Sequence, residues 1–166
     1  ADGKFRFRPA WAEIARRKGY LWTIDPSALP EMVDYWDINE KATEEVPFRL
    51  ATSPSRGFLN SSFSETAGSQ KRQPIPTVLI RPDDAAANGI ANGSKVVIGN
   101  HRGTVELTAE YFGGLQQGVL IAEGIHQNRS HRNGNGINTL IGSDQVPPFG
   151  GVAFHDATVW IRAAAN

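Results

Sequence analysis

Residues 92–112, NGSKVVIGNHRGTVELTAEYF, constrain the fold most, because two alternating apolar segments flank a four-residue turn. Apolar side chains occupy every second position of each segment, which is the spacing of a strand with one buried face. Residues 100–103 favour a tight hairpin turn. A lone hairpin is marginally stable in water, so this stretch predicts a larger β structure that covers its apolar face.

Four other segments have the composition of short strands. FRLATS (48–53) alternates, PTVLIRP (76–82) is apolar enough to predict burial on both faces, and GVLIAEG (118–124) and GVAFHDATVWIRA (151–163) follow. Between them, DDAAANGI predicts one short helix that Asp83 or Asp84 caps and that ends at a left-handed Gly89.

Six or seven short strands predict a small closed β-barrel, because closure removes exposed strand edges. Period-2 spacing gives the side chains that we expect to point inward. They are Val78, Ile80, Val96, Ile98, Val105, Leu107, Leu120 and Val159.

The first 47 residues differ from the rest, since they hold three of the four tryptophans and are interrupted by prolines. PAWAEIARRKGY (9–20) predicts a short helix that ends at Gly19. The remainder predicts an irregular arm that lies against another domain through Trp22, Tyr35 and Trp36, or else a tail on its own domain. The predicted division is an arm at 1–47 and a barrel domain at 48–166. Because the sequence starts without Met or an apolar leader, we expect a piece of a larger protein.

Composition excludes several classes of function. Seventeen basic and seventeen acidic residues give no net charge, so there is no electrostatic reason to expect a nucleic-acid partner. No apolar run approaches the roughly 18 residues of a membrane-spanning helix. Cysteine is absent, which excludes disulfides and thiolate-ligated iron–sulfur or zinc sites within this sequence.

The sequence contains no recognisable catalytic or metal-binding pattern. His126 and His131 are five residues apart, a poor spacing for two ligands on one element. Ser61, Ser62 and Ser64 have no His or Asp at the spacing of a nucleophilic triad. We therefore expect no catalytic residue and no metal ligand, and a binding module is the better interpretation.

Two polar stretches are candidate binding loops, although each also has the composition of a solvated surface loop. They are TSPSRGFLNSSF (52–63) and GIHQNRSHRNGNGIN (124–138). Side-chain amides donate and accept hydrogen bonds, so they can pair with the edge of a pterin or a guanine. Glycines let a backbone approach such a ligand closely.

From residue 48 to 162 the chain resembles the C-terminal dinucleotide-binding domain of molybdopterin oxidoreductases, the dimethyl-sulfoxide-reductase superfamily. The matching segments occur in the same order over more than a hundred residues. They are LATSPSRGFLNSSF, VLIRPDDAAANGIANGSKVVIGNHRGTVELTAEY, GVLIAEG, GNGINTLI and FGGVAFHDATVWI.

The resemblance implies a mainly β fold, a double-psi β-barrel that covers one side of a bis(molybdopterin guanine dinucleotide) cofactor holding molybdenum or tungsten. In this family the preceding catalytic domains supply the metal ligand, often an iron–sulfur cluster, and most of the substrate funnel. The isolated chain is therefore expected to be inactive, and those domains are its expected partners. The expected location is the cytoplasm, or alternatively the periplasm. The alternative function is a free-standing double-psi barrel that acts as a protein-interaction module.

The resemblance also implies the residues that contact the cofactor. Neutral donors such as Thr52 and Asn138 would hold the pterin and nucleotide edges, and Arg56 would bind the pyrophosphate with its two-pronged guanidinium. Many relatives carry His at the position of Asn60 and Lys at that of His155. The full predicted set is Thr52, Ser53, Arg56, Asn60, Ser61, Ser62, His126, Asn135, Asn138, Phe154 and His155. We expect the two loops that carry most of them to meet at one end of the barrel.

Overall fold

The computed structural model describes residues 2–5, 7–18, 32, 37–146, 151–154 and 156–165. The chain divides into two compact units. One consists of residues 40–142 with 154–166, and the other of residues 1–39 with 143–153.

Eight strands and three α-helices are described. The strands are β1 (Phe48–Ser53), β2 (Thr77–Ile80), β3 (Lys95–Asn100), β4 (Gly103–Tyr111), β5 (Val119–Glu123), β6 (Gln145–Val146), β7 (Gly151–Val152) and β8 (Ala157–Ala163), and the helices are α1 (Trp11–Lys18), α2 (Ala67–Arg72) and α3 (Pro82–Ala87). Two single 3-10 turns lie at Asn128–Ser130 and Ile137–Leu140.

Six strands close into a barrel in the order β1, β5, β2, β4, β3, β8. The pairs β1–β5 and β2–β4 are parallel, and the other four neighbours are antiparallel. The antiparallel pair of β8 with β1 closes the ring and sets Val159 opposite Phe48. The prediction of a mainly β protein with a small closed barrel and few short helices is confirmed.

The barrel interior is filled by alternating aliphatic side chains. All eight residues predicted to point inward are at most 3% exposed. The predicted burial of β2 on both faces is wrong, because Thr77 and Leu79 are only half-buried while Val78 and Ile80 are fully buried. An apolar run of four residues therefore concealed the ordinary alternation of a barrel strand.

The hairpin turn at residues 100–103 and the left-handed Gly89, with φ of +65°, are confirmed. The predicted cap of α3 is wrong, because the helix begins at Pro82 with Arg81 as N-cap and no side-chain cap bond. Asp84 instead accepts a hydrogen bond of 2.9 Å from the N–H of Gly118, just before β5. This carboxylate thus joins α3 to a neighbouring strand of the barrel.

The unit that contains the N-terminus holds the predicted helix, α1, and an antiparallel ladder of β6 with β7. Gly19 and the predicted anchors Trp22, Tyr35 and Trp36 lie outside the described residues. The barrel unit includes residues from Glu40 onward, whereas the predicted domain division falls after residue 47 and stays a prediction. None of the described helices is long and apolar enough to cross a membrane.

Candidate functional site

A groove of about 380 Å³ opens at the end of the barrel where β1 and β5 finish. The two strands are parallel, so their carboxyl ends meet at one edge, and the loops that follow them start side by side. The groove is lined by Thr52, Ser53, Pro54, Asn60, Gly124, Ile125, Asn138, Ile141 and Phe154. The predicted meeting of the two polar loops at one end of the barrel is therefore confirmed.

The loop after β1 forms the first wall of the groove. Phe58 anchors it, being 8% exposed, and packs edge-on against His126 with 5.0 Å between ring centroids. Asn60 has a φ of +50°, a left-handed conformation that Asn tolerates better than most residues. Its carbonyl accepts a hydrogen bond of 3.2 Å from the N–H of Ile125, so the two loops are tied directly to each other.

The loop after β5 forms the second wall and begins with Gly124. The N–H of Gly124 donates to the carbonyl of Ser53 at 2.8 Å, and its φ is +75°. A Cβ at this position would lie 2.7 Å from Cζ of Phe58 and 2.9 Å from Cβ of Ser55. Glycine is thus required here both by the backbone conformation and by the close approach of the first loop.

Most of the asparagine-rich segment in this second loop lies along β4. Among the described residues, β2 pairs with β4 only from Thr108 to Tyr111, which leaves the earlier part of that edge without a strand. Side chains of the loop bind its backbone groups instead. The carbonyl of Thr104 accepts from Nδ2 of Asn133 at 3.0 Å and of Asn135 at 3.2 Å. Nδ1 of His131 lies 3.1 Å from the carbonyl of Glu106.

The structure brings five predicted site residues together in the groove lining: Thr52, Ser53, Asn60, Asn138 and Phe154.

The other predicted site residues lie elsewhere. Arg56, Ser61 and Ser62 are exposed on the first loop and are not part of the lining. His126 is buried, Asn135 is bound to β4, and His155 lies outside the described residues. A contact of any of these residues with a cofactor stays a prediction. Four residues line the groove but were not predicted, because a proline, a glycine and two isoleucines carry no signal of ligand binding in a sequence: Pro54, Gly124, Ile125 and Ile141.

Two buried imidazoles lie behind the second wall. His126 and His131 are 6% and 5% exposed, with rings 6.3 Å apart and perpendicular. Nε2 of each has no hydrogen-bond partner within the described part of the chain. Burial lowers the pKa of both, and the charge of His131 lowers the pKa of His126 further. No three His, Asp or Glu side chains among the described residues are grouped to hold a metal ion.

The described lining of the groove carries no charged side chain. The amides of Asn60 and Asn138 are exposed and make no side-chain hydrogen bond within the described residues, so both offer donors and acceptors to a ligand. Ile125, Ile141 and Phe154 add apolar surface. Small-molecule pockets span about 300–1,000 Å³. The groove is at the lower end of that range, so its volume suits a small ligand or one end of a larger one.

Comparisons with known proteins agree with this geometry. Residues 48–158 match the family described as "Molydopterin dinucleotide binding domain". The chain is 32% identical over 118 residues to "Probable oxidoreductase YoaE" of Bacillus subtilis, covering 71% of this chain. It is 26% identical over 123 residues to a "Putative dimethyl sulfoxide reductase" catalytic chain of Halobacterium salinarum, covering 74% of this chain.

The fold is similar to part of acetylene hydratase from Pelobacter acetylenicus, with a TM-score of 0.66, at 14% sequence identity and over 93% of this chain and 23% of that one. The matches to the two curated relatives cover only 17% and 15% of their lengths. With its family match spanning β1 to β5, the start of β8 and both walls of the groove, the chain belongs to the molybdopterin dinucleotide-binding domain family of the molybdopterin oxidoreductases.

Proposed function

We propose that the groove holds one heterocyclic end of a molybdopterin guanine dinucleotide, within a larger oxidoreductase that uses molybdenum or tungsten. One observation carries the proposal: two polar loops, whose groove-lining side chains are uncharged, meet over the carboxyl ends of β1 and β5. When bound, the metal–pterin centre supplies two-electron redox chemistry. The residues of this chain bind and orient the cofactor and exclude water from it.

Each wall has a distinct part in binding. Asn60 and Asn138 offer amide groups to the hydrogen-bonding edge of the pterin or guanine, and Phe154 and Ile125 cover its apolar faces. Neutral donors add no net charge near the metal. Arg56 is exposed on the first loop and is the partner that we assign to the pyrophosphate.

The rest of the enzyme supplies what this chain lacks. We assign the second half of a bis(molybdopterin guanine dinucleotide), the metal ligand and any iron–sulfur cluster to the preceding catalytic domains, which are the partners of this barrel. The absence of cysteine from the sequence and the small share of the relatives' length that the chain spans support this division. We place the enzyme in the cytoplasm and expect the isolated chain to be inactive.

The test is Asn138→Ala in the intact enzyme. Loss of a buried hydrogen bond to a ligand costs about 1–3 kcal/mol, which is roughly one to two decades of affinity. Metal content per polypeptide should fall accordingly, whereas Ser130→Ala, an exposed residue outside the groove lining, should leave it unchanged.

Full metal content and activity in Asn138→Ala would contradict the proposal. That result would favour the alternative of an interaction barrel, in which the groove amides have no cofactor to hold.

A further inference from the structure

We infer that Asn133 is a positioning residue of the cofactor site, which holds Asn138 in the groove through a polar ladder on β4. The polar ladder consists of the side chains of His131, Asn133 and Asn135. This inference rests on the proposed function, because it assigns to Asn138 a ligand contact that the ladder preserves.

The ladder has the spacing of a strand although its segment is a loop. Its three members occupy every second position, and they bind the backbone groups of Thr104 and Glu106, which are also two residues apart. Backbone donors and acceptors that lose water need partners. Side chains of the loop provide them where β2 is too short to reach.

Asn133 is the central member of the ladder because its side chain both donates and accepts hydrogen bonds. Its Nδ2 donates to the carbonyl of Thr104 at 3.0 Å, while its Oδ1 accepts long hydrogen bonds, each 3.4 Å, from the N–H groups of Glu106 and Asn135. One side chain therefore joins two backbone groups of β4 to the loop backbone that follows it. Removing it would leave the loop attached to β4 through the two outer members of the ladder and the ion pair of Arg132 with Glu106.

The ladder affects the groove because it ends just before Asn138, which lines the groove. Only Gly136 and Ile137 separate Asn135 from Asn138. Ile137 and Leu140, which flank Asn138 along the chain, are buried in the barrel core, at 2% and 0% exposed. The segment that carries Asn138 is thus held by an apolar attachment, and the backbone that enters this segment is held by the polar ladder. Without the ladder the apolar attachment keeps the segment folded, but the backbone that enters it gains freedom.

The experiment is a double-mutant cycle in the purified 166-residue chain with guanosine diphosphate as probe, titrated by NMR. Asn133→Ala should weaken binding about threefold to tenfold, the loss expected for one net hydrogen bond. In an Asn138→Ala background it should weaken binding no further, because the contact that it positions is already absent. A purely structural role would weaken binding equally in both backgrounds, and that result would overturn the inference.

Ser130→Ala is the control, since this side chain is exposed in the same loop and makes no side-chain hydrogen bond within the described residues. It should leave the dissociation constant within about twofold. Asn135→Ala removes one member of the ladder and should act in the same direction as Asn133→Ala but less. If Asn133→Ala does not fold, the same cycle is measured with Asn135→Ala instead, in the wild-type and the Asn138→Ala backgrounds.

NMR spectra of the ligand-free chain test the ladder independently of the proposed function. In Asn133→Ala the amide of Glu106 should exchange faster with solvent and the resonances of Asn138 should shift, and neither should occur in Ser130→Ala. If the wild-type chain fails to bind the probe, the assignment of the guanine end to the groove fails, while these spectra still test the ladder. Unchanged Asn138 resonances in Asn133→Ala would refute the positioning role.

Discussion

Gly124→Ala should destabilise the barrel and distort the groove, because this position combines a left-handed backbone with a close approach. The added methyl group would lie 2.7 Å from Cζ of Phe58, a side chain that anchors the first wall. Moving Phe58 would also move the loop that carries Asn60. The substitution therefore tests whether the two walls are held as rigidly as their contacts indicate.

The magnitude follows from three contributions. A left-handed conformation costs a residue with a Cβ about 1–2 kcal/mol, and overpacking costs about 1–3 kcal/mol. Loss of glycine freedom in the unfolded chain returns about 0.4–1 kcal/mol. The free energy of unfolding should therefore fall by roughly 1–5 kcal/mol, measured by urea denaturation at constant m-value.

Three other glycines separate these contributions. Gly93 has φ of +79° and open space around it, so Gly93→Ala isolates the backbone cost. At Gly99 a Cβ would lie 2.8 Å from Cε2 of Trp160 without a left-handed φ, so Gly99→Ala isolates the overpacking. Gly113 has neither feature, and Gly113→Ala should be neutral or slightly stabilising.

The decisive comparison is between Gly124→Ala and the sum of Gly93→Ala and Gly99→Ala, less the effect of Gly113→Ala, because the sum counts the unfolded-chain contribution twice. A loss of stability similar to that corrected sum supports the account given for Gly124. A Gly124→Ala variant as stable as Gly113→Ala would refute this account, because the two walls would then have moved apart without any loss of stability.

The barrel strands were predictable because their signals are local. Alternation within a few residues marked β3, β4 and β8, and the turn residues at 100–103 marked the hairpin. The fully buried core positions followed from the same period. The cap of α3 was mispredicted because Asp84 bonds to Gly118, a partner 34 residues away that no local pattern reveals.

The asparagine-rich segment shows where sequence reasoning fails. Its amides predicted a ligand, yet Asn135 binds β4 and only Asn138 reaches the groove lining. The cause is non-local: β2 has four residues and β4 has nine, so part of one edge needs other partners. The period-2 spacing of His131, Asn133 and Asn135 was present in the sequence, but its meaning depends on which strand lies beside it.

Two further predictions concern stability. Glu40→Gln should lower the free energy of unfolding by about 1 kcal/mol, because Glu40 pairs with Arg102 and accepts a backbone N–H of β8, whereas the exposed Glu44→Gln should not. The second concerns pH. Burial lowers the pKa of His126 and His131 below the ordinary value of 6.5, so at mildly acidic pH the unfolded chain binds more protons than the folded one, and stability rises with pH. The contribution of these neutral imidazoles is complete above pH 6.5 and is lost as the pH falls through their lowered folded-state values. Urea denaturation between about pH 8 and pH 5, above the range in which ordinary carboxylates titrate, should therefore show stability falling below the ordinary histidine pKa. His126→Leu should flatten that dependence, because leucine fills the same apolar contact with Phe58 without a proton to take up. An equally steep dependence in wild type and His126→Leu would show that the buried imidazole is not what makes this barrel sensitive to acid.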